Sequence, residues 1–182
     1  SLAGGRGAPR PRPPFPAVSG LNGQPTLLNN VKSYANARWI INEGSDWFAS
    51  RGSETCKGTA IFSLTGKTAN CGLIEVPMGI SIREIIYDIG GGIPGSKAFK
   101  AVQIGGPSGG CIPASTAGTR VDFEDLTEAG AMMGSGGLLV MDETDCMVDI
   151  ARYFLSFTCS QSCGKCTFCR IGMRHMLSIL EK

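Results

Sequence analysis

Thr59-Ala-Ile-Phe-Ser-Leu-Thr65, with Leu73-Ile-Glu-Val76 and Ser81-Ile-Arg-Glu84 behind it, is the stretch that decides the fold. The first run is rich in β-forming residues and places Ala60, Phe62 and Leu64 on one face, the alternation of a half-buried strand. Gly66-Lys-Thr-Ala-Asn70 makes a loop, so Leu73–Val76 returns as the second strand of a hairpin. Ser81 and Glu84 stand at capping-box spacing, in which a hydroxyl and a carboxylate satisfy each other's backbone amides at a helix start. Ile82, Ile85, Ile86 and Ile89 then recur at i, i+3, i+4 and i+7, one apolar stripe to lay on the sheet. Gly90-Gly-Gly92 stops that helix.

Phe99-Lys-Ala-Val-Gln-Ile104 reads as a third strand and Leu138-Leu-Val-Met141 as a later one. Two strands, a helix, then further strands across one sheet is the order of a β-grasp (ubiquitin-like) fold. The expected class is therefore α+β, with residues 53–141 as a compact domain. Gly105-Gly-Pro-Ser-Gly-Gly110 lacks the Lys-Ser/Thr of a phosphate loop, and no helical pattern comes after it. Its glycines are expected to permit positive φ in a tight loop between strands, and Gly134-Ser-Gly-Gly137 is read the same way.

Toward the N-terminus, Arg10-Pro-Arg-Pro-Pro-Phe-Pro16 is extended chain, because proline fixes φ and removes donors. It reads as a spacer or the edge of a larger domain rather than a ligand for an SH3-type groove. A helix is expected over Leu28–Asn42, with Val31, Tyr34, Ala35, Arg38 and Ile41 on one face. Trp47 and Phe48 need cover. From Asp142 the pattern turns helical again: Asp142, Glu143 and Asp145 suit a first turn, and Met147, Ile150, Ala151, Phe154 and Thr158 make a buried stripe.

Cys163-Gly-Lys-Cys166-Thr-Phe-Cys169 comes next, a C-x2-C-x2-C triplet. Cys169, Met173, Met176, Leu177 and Leu180 share a face beyond it, so the triplet lies at the joint of two amphipathic helices. Three thiols at this spacing let a short loop wrap one cubic iron–sulfur cluster, each sulfur reaching a different iron. Thiolates suit iron–sulfur and zinc centres, not magnesium or calcium. Structural zinc usually takes two separate C-x-x-C knuckles, and there is one triplet here. Zinc with Cys159 or Cys146 as fourth ligand stays open beside the cluster. Cys56, Cys71, Cys111, Cys146 and Cys159 otherwise read as small packing residues. His175, the one histidine, reads as a surface residue, and no Ser-His-Asp or Cys-His constellation forms around it.

The chain has 182 residues, 42% hydrophobic, eight of them cysteine, with a net charge of +2. That charge gives nucleic acid no electrostatic support. The cysteine density is below that of disulfide scaffolds, no secretory h-region opens the chain, and no apolar run spans a bilayer. Reduced thiols, a cytoplasmic setting and no direct membrane insertion are the expectations. The start at Ser1-Leu2 without Met reads as a piece of something longer.

Ser162-Cys-Gly-Lys-Cys-Thr-Phe-Cys-Arg-Ile-Gly172 resembles the cluster motif of the NADH-binding flavoprotein subunit of respiratory complex I and its relatives in NAD(P)-reducing and electron-bifurcating hydrogenases. Pro11-Arg-Pro-Pro-Phe-Pro16, Pro25-Thr-Leu-Leu-Asn-Asn-Val31, Gly90-Gly-Gly-Ile-Pro94, Gly105–Gly110 and Met132-Met-Gly-Ser-Gly136 look like signatures of the same family. The resemblance implies that residues 1–52 end an FMN-binding domain, 53–141 form a soluble-ligand-binding β-grasp domain, and 142–182 begin an α-helical iron–sulfur bundle. It implies Cys163, Cys166 and Cys169 as three ligands of a [4Fe–4S] cluster whose fourth ligand lies outside this chain. Asn29, Asn30 and Ser33 match the FMN edge, Ser33 in a place usually held by Thr. Lys32 stands where Glu is common, and Phe168 where Pro is common.

The implied parent is an oxidoreductase passing electrons from NADH through FMN to the cluster, within a complex of several subunits. Flavin suits that task because it takes two electrons together and releases them singly. The fragment lacks the family's upstream glycine-rich segments and is expected to be inactive alone, with no catalytic side chain assigned. A non-catalytic β-grasp module that docks a partner or ligand is the alternative from the same residues.

Overall fold

A computed structural model describes residues 4, 7 and 9–182. The hairpin forms as β1 (Thr59–Gly66) and β2 (Gly72–Pro77), antiparallel, with Phe62 opposite Ile74. β3 (Phe99–Ile104), β4 (Gly110–Pro113) and β5 (Gly137–Asp142) complete one five-stranded sheet ordered β2-β1-β5-β3-β4. The first and last strands pair in parallel, Leu64 beside Leu138, and the other pairs are antiparallel. This is the β-grasp arrangement, with a helical region after it.

Between β2 and β3 the capping box closes as expected. The Glu84 amide donates to Ser81 Oγ at 3.2 Å, and the Ser81 amide donates to Glu84 Oε2 at 2.9 Å. Ile82–Glu84 is α-helical and runs directly into a π-turn over Ile85–Ile89. Ile82, Ile85 and Ile86 are buried with Phe62, Leu64, Val102, Ile104, Leu138 and Val140 in one core. Ile89 departs from the stripe and is 36% exposed. The π-turn, closed by the Gly90 amide donating to Ile85 O at 2.9 Å, adds a residue and rotates the end of the segment off the buried face.

Two elements escape the sequence pattern. β4 is four residues long, and the helix Phe123–Glu128 is six. That helix is set by Asp122, which accepts from the Glu124 amide at 2.9 Å and from the Ser53 and Thr55 hydroxyls at 2.9 Å each. The amide and hydroxyl donors hold its carboxyl below the usual range. The two glycine runs meet near β3. Gly105 takes φ +84°, and a Cβ on Gly134 would lie 2.5 Å from Gly105 Cα, so the approach of the two backbones requires glycine.

α1 (Val31–Glu43) and α2 (Ser45–Ala49) precede the sheet. The expected apolar face of α1 is open: Val31 is 83% exposed, and Tyr34, Arg38 and Ile41 are exposed too. Phe48 finds its cover against Gly58, where a Cβ would come within 2.4 Å of the ring, and Arg51 stacks over Trp47 at 4.4 Å.

The acidic run after β5 is not a helix start. Asp142 ends the strand, and α3 (Met147–Gln161) begins five residues later. The reason is electrostatic. The buried Asp142 carboxylate meets Lys67 Nζ at 3.1 Å and Lys97 Nζ at 3.5 Å, while Lys67 also reaches Asp145 at 3.0 Å. The Thr144 hydroxyl and then its amide, with Lys67, hold the Asp142 carboxyl well below its ordinary range. Asp145 and then Asp142 push the Lys67 ammonium up. Cys71, Cys111 and Cys146 correct the packing assignment: all three are exposed, and of the five scattered thiols Cys56 packs partly against the core.

Candidate metal centre

α3 ends in Gln161, with Ser162 extended at its C-cap. The chain turns at Gly164, φ +70°, and becomes helical again from Thr167. A π-turn over Phe168–Gly172 leads into α4 (Met173–Leu180), which packs back on α3. The triplet therefore occupies a helix–helix joint. Cys163 and Cys166 are exposed on the loop and at the helix mouth, and Cys169 is half-buried in the π-turn. The Arg170 amide donates to Cys166 O at 2.9 Å, which fixes the second thiol to the helix carrying the third.

Cys169 is held on two sides. Ser162 Oγ donates to its sulfur at 3.4 Å, and its own thiol reaches Met173 Sδ at 3.8 Å. The Gly164 amide donates to Ser162 Oγ at 3.2 Å. A shallow cavity opens here, lined by Cys159, Ser162, Gly164, Cys169 and Met173, with Arg170 and Arg174 at its side. Lys165 donates to Pro9 O at 2.8 Å, so the proline-rich segment touches the cysteine loop.

The donor set fits a cluster in chemistry: three soft sulfur donors across one short loop and the π-turn after it, a glycine at the turn, and cations nearby for an anionic centre. The structure places Cys163 on the loop, Cys166 at its end and Cys169 in the π-turn that follows. Among the described residues, no three or more His, Cys, Asp or Glu side chains converge as a preformed ligand group. Cys146 lies before the first residue of α3, which is 15 residues long, or about 22 Å at 1.5 Å per residue, from the loop. That distance removes it as a local fourth ligand. Cys159 sits one turn from the loop and lines the cavity.

Asn29, Asn30 and Ser33 gather at the N-terminus of α1. Asn30 is its N-cap residue, with no side-chain cap bond, and all three are exposed. Immediately before them, Arg12, Phe15, Pro16, Pro25, Leu27 and Leu28 line an open apolar cleft. The α1 N-terminus and the cysteine loop are separate features, and His175 is exposed as expected. Reading the sequence alone misses the Ser162 hydroxyl; its place directly before Cys163 was the available signal.

Residues 149–182 match the family described as "NADH-ubiquinone oxidoreductase-F iron-sulfur binding region". Along its whole length the chain is 54% identical to 37% of the NADP-reducing hydrogenase subunit HndC of Solidesulfovibrio fructosivorans. It is 43% identical to 43% of the second F-type subunit of NADH-quinone oxidoreductase from Rhizobium meliloti (strain 1021), again along its whole length. The fold covers 96% of this chain and 30% of a chain in the crystal structure of an air-oxidised NAD+-reducing [NiFe]-hydrogenase, with TM-score 0.84 and 31% identity. The chain thus spans less than half the length of these relatives. No helix of the described residues is long and apolar enough to cross a membrane. Shared sequence along the full chain, a shared fold and a matched iron–sulfur region together show that this chain is similar, along its whole length, to part of the F-type NADH-quinone oxidoreductase subunits and their hydrogenase relatives.

Proposed function

We propose that the chain is the electron-exit part of an NADH:acceptor oxidoreductase subunit, with Cys163, Cys166 and Cys169 as three ligands of a [4Fe–4S] cluster. A fourth ligand comes from outside these 182 residues. The observation that carries this reading is the C-x2-C-x2-C loop at the α3–α4 joint, inside the matched iron–sulfur region. In this division, residues 1–52 end the FMN domain, with Asn29, Asn30 and Ser33 at the flavin edge. Residues 53–141 form the β-grasp domain and 142–182 the cluster-bearing helices. NADH and FMN belong to the whole parent, which works with other subunits of a redox complex in the cytoplasm.

When bound, the cluster supplies one-electron transfer. The chain's own residues provide the holding. Cys163 and Cys166 offer sulfur from the loop, Cys169 from a helix whose start is pinned to Cys166 O, and Gly164 lets the backbone approach. Lys165, Arg170 and Arg174 supply positive charge near an anionic centre. At the other end, the N-terminus of α1 favours an anionic or hydrogen-bonding ligand beside Asn29, Asn30 and Ser33.

A second reading, zinc held with Cys159, is favoured by the place of Cys159 in the same cavity. Anaerobic incubation with iron and sulfide decides between them. A brown chain that becomes paramagnetic on reduction supports the cluster. A colourless chain that takes up zinc and rejects iron overturns it.

A further inference from the structure

We propose that Ser162 is a positioning residue for Cys169, and that its hydroxyl tunes the reduction potential of the cluster held by the loop. The inference rests on the cluster reading above. Ser162 is half-buried where α3 gives way to the loop, with φ −60° and ψ 132°. Its side chain is a hub. The Oγ–H donates to Cys169 Sγ at 3.4 Å, and Oγ accepts from the Gly164 amide at 3.2 Å. One hydroxyl, as donor and as acceptor, ties the residue after the first thiol to the third thiol.

The chemistry turns on what a ligating sulfur becomes. As a free thiol, Cys169 donates toward Met173 Sδ at 3.8 Å. As a thiolate ligand it carries no proton and only accepts, so the Met173 contact loses its hydrogen while the Ser162 contact keeps one. Two of the nearby cations are engaged on carbonyls: Lys165 is bound to Pro9 O at 2.8 Å, and Arg170 Nη1 to Gly164 O at 3.5 Å. The donor aimed at a triplet sulfur is the serine hydroxyl. A hydrogen bond to a cluster sulfur offsets the extra electron of the reduced state and raises the potential. Residues in this outer position orient a ligand as well as tune it.

The test uses the chain and its Ser162→Ala and Ser162→Thr variants, loaded anaerobically with iron and sulfide. Midpoint potential is read by EPR-monitored titration, and iron loss by competition with a chelator. In Ser162→Ala the oxidised-to-reduced ratio at the parent midpoint rises about tenfold, a shift of about 59 mV to the negative for one electron. Iron is lost faster. Ser162→Thr keeps the hydroxyl and stays within about twofold of the parent ratio. An alanine variant that takes up no iron while the threonine variant loads supports the positioning role. An alanine variant superimposing on the parent in both readings overturns the proposal, as does a threonine variant that fails alongside alanine. An unsubstituted chain that takes up no iron even when extended to supply the fourth ligand overturns the cluster reading itself, and this proposal with it.

Discussion

The sheet and the helical pair beyond it are built to different standards. Every strand from β1 to β5 contributes to one core, in which Phe62, Leu64, Ile82, Ile85, Ile104 and Leu138 are essentially inaccessible. α3 and α4 have no buried residue, and Phe157 and Phe168 stand 50% and 90% exposed. The β-grasp part satisfies its apolar faces internally. The cysteine-bearing pair does not: it has a stripe on each helix, one shared seam, and the cysteine loop at the end. Its order should therefore depend on what binds the loop, whereas the order of the sheet should not.

The first way to break this comparison is to cut both regions. Phe62→Ala should cost about 3–5 kcal/mol in urea unfolding, while Phe157→Ala should stay within about 0.5 kcal/mol. Equal losses would show that the helices share the core's cooperativity. Within the helical segment before β3, Ile85→Ala should cost about 2–5 kcal/mol and Ile89→Ala clearly less, because the π-turn turns Ile89 outward. A reversal would mean that the turn does not form.

Next comes Asp122. Replacing it by Ala removes a helix cap and a link to Ser53 and Thr55, for about 1–2 kcal/mol in the same urea melts.

The Asp142 cluster sharpens the comparison through pH. The depressed carboxyl contributes stability that is fully present above its ordinary pKa of 3.8 and drains away as pH falls through that value and below. Sheet unfolding should therefore be easier below about pH 4, and Asp142→Asn should flatten that dependence. An unchanged slope would remove Asp142 as its source. The smallest effect belongs to the exposed Arg152–Asp149 pair on α3, at 3.1 Å, where Arg152→Ala should change stability by less than about 0.5 kcal/mol.

Legibility in the sequence divides along the same line. Period-two alternation in Thr59–Thr65 and the capping box at Ser81 announce themselves locally, so the hairpin and the helix after it were legible. β4 and the helix after Asp122 were not: Gly110-Cys-Ile-Pro113 is too short to show a period, and Asp122 is set by Ser53 and Thr55, far away in sequence. The run Asp142–Asp145 misled because helix-start chemistry and lysine recruitment draw on the same residues; Lys67 and Lys97, brought in by the sheet, decide for the latter. Of the site, the spacing of the triplet was legible and its surroundings were not. The serine hydroxyl on Cys169 and the place of Cys159 in the cavity appear only once α3 and α4 are folded together.

The most direct measurement is iron content after anaerobic reconstitution across all eight single Cys→Ser variants. Cys163→Ser, Cys166→Ser and Cys169→Ser should each lose most of the iron, whereas Cys56, Cys71, Cys111, Cys146 and Cys159 should each be replaceable with iron retained. A Cys159→Ser variant that loses as much iron as the triplet variants would contradict this, moving the fourth ligand into this chain. Triplet variants that keep their iron would contradict the cluster assignment altogether.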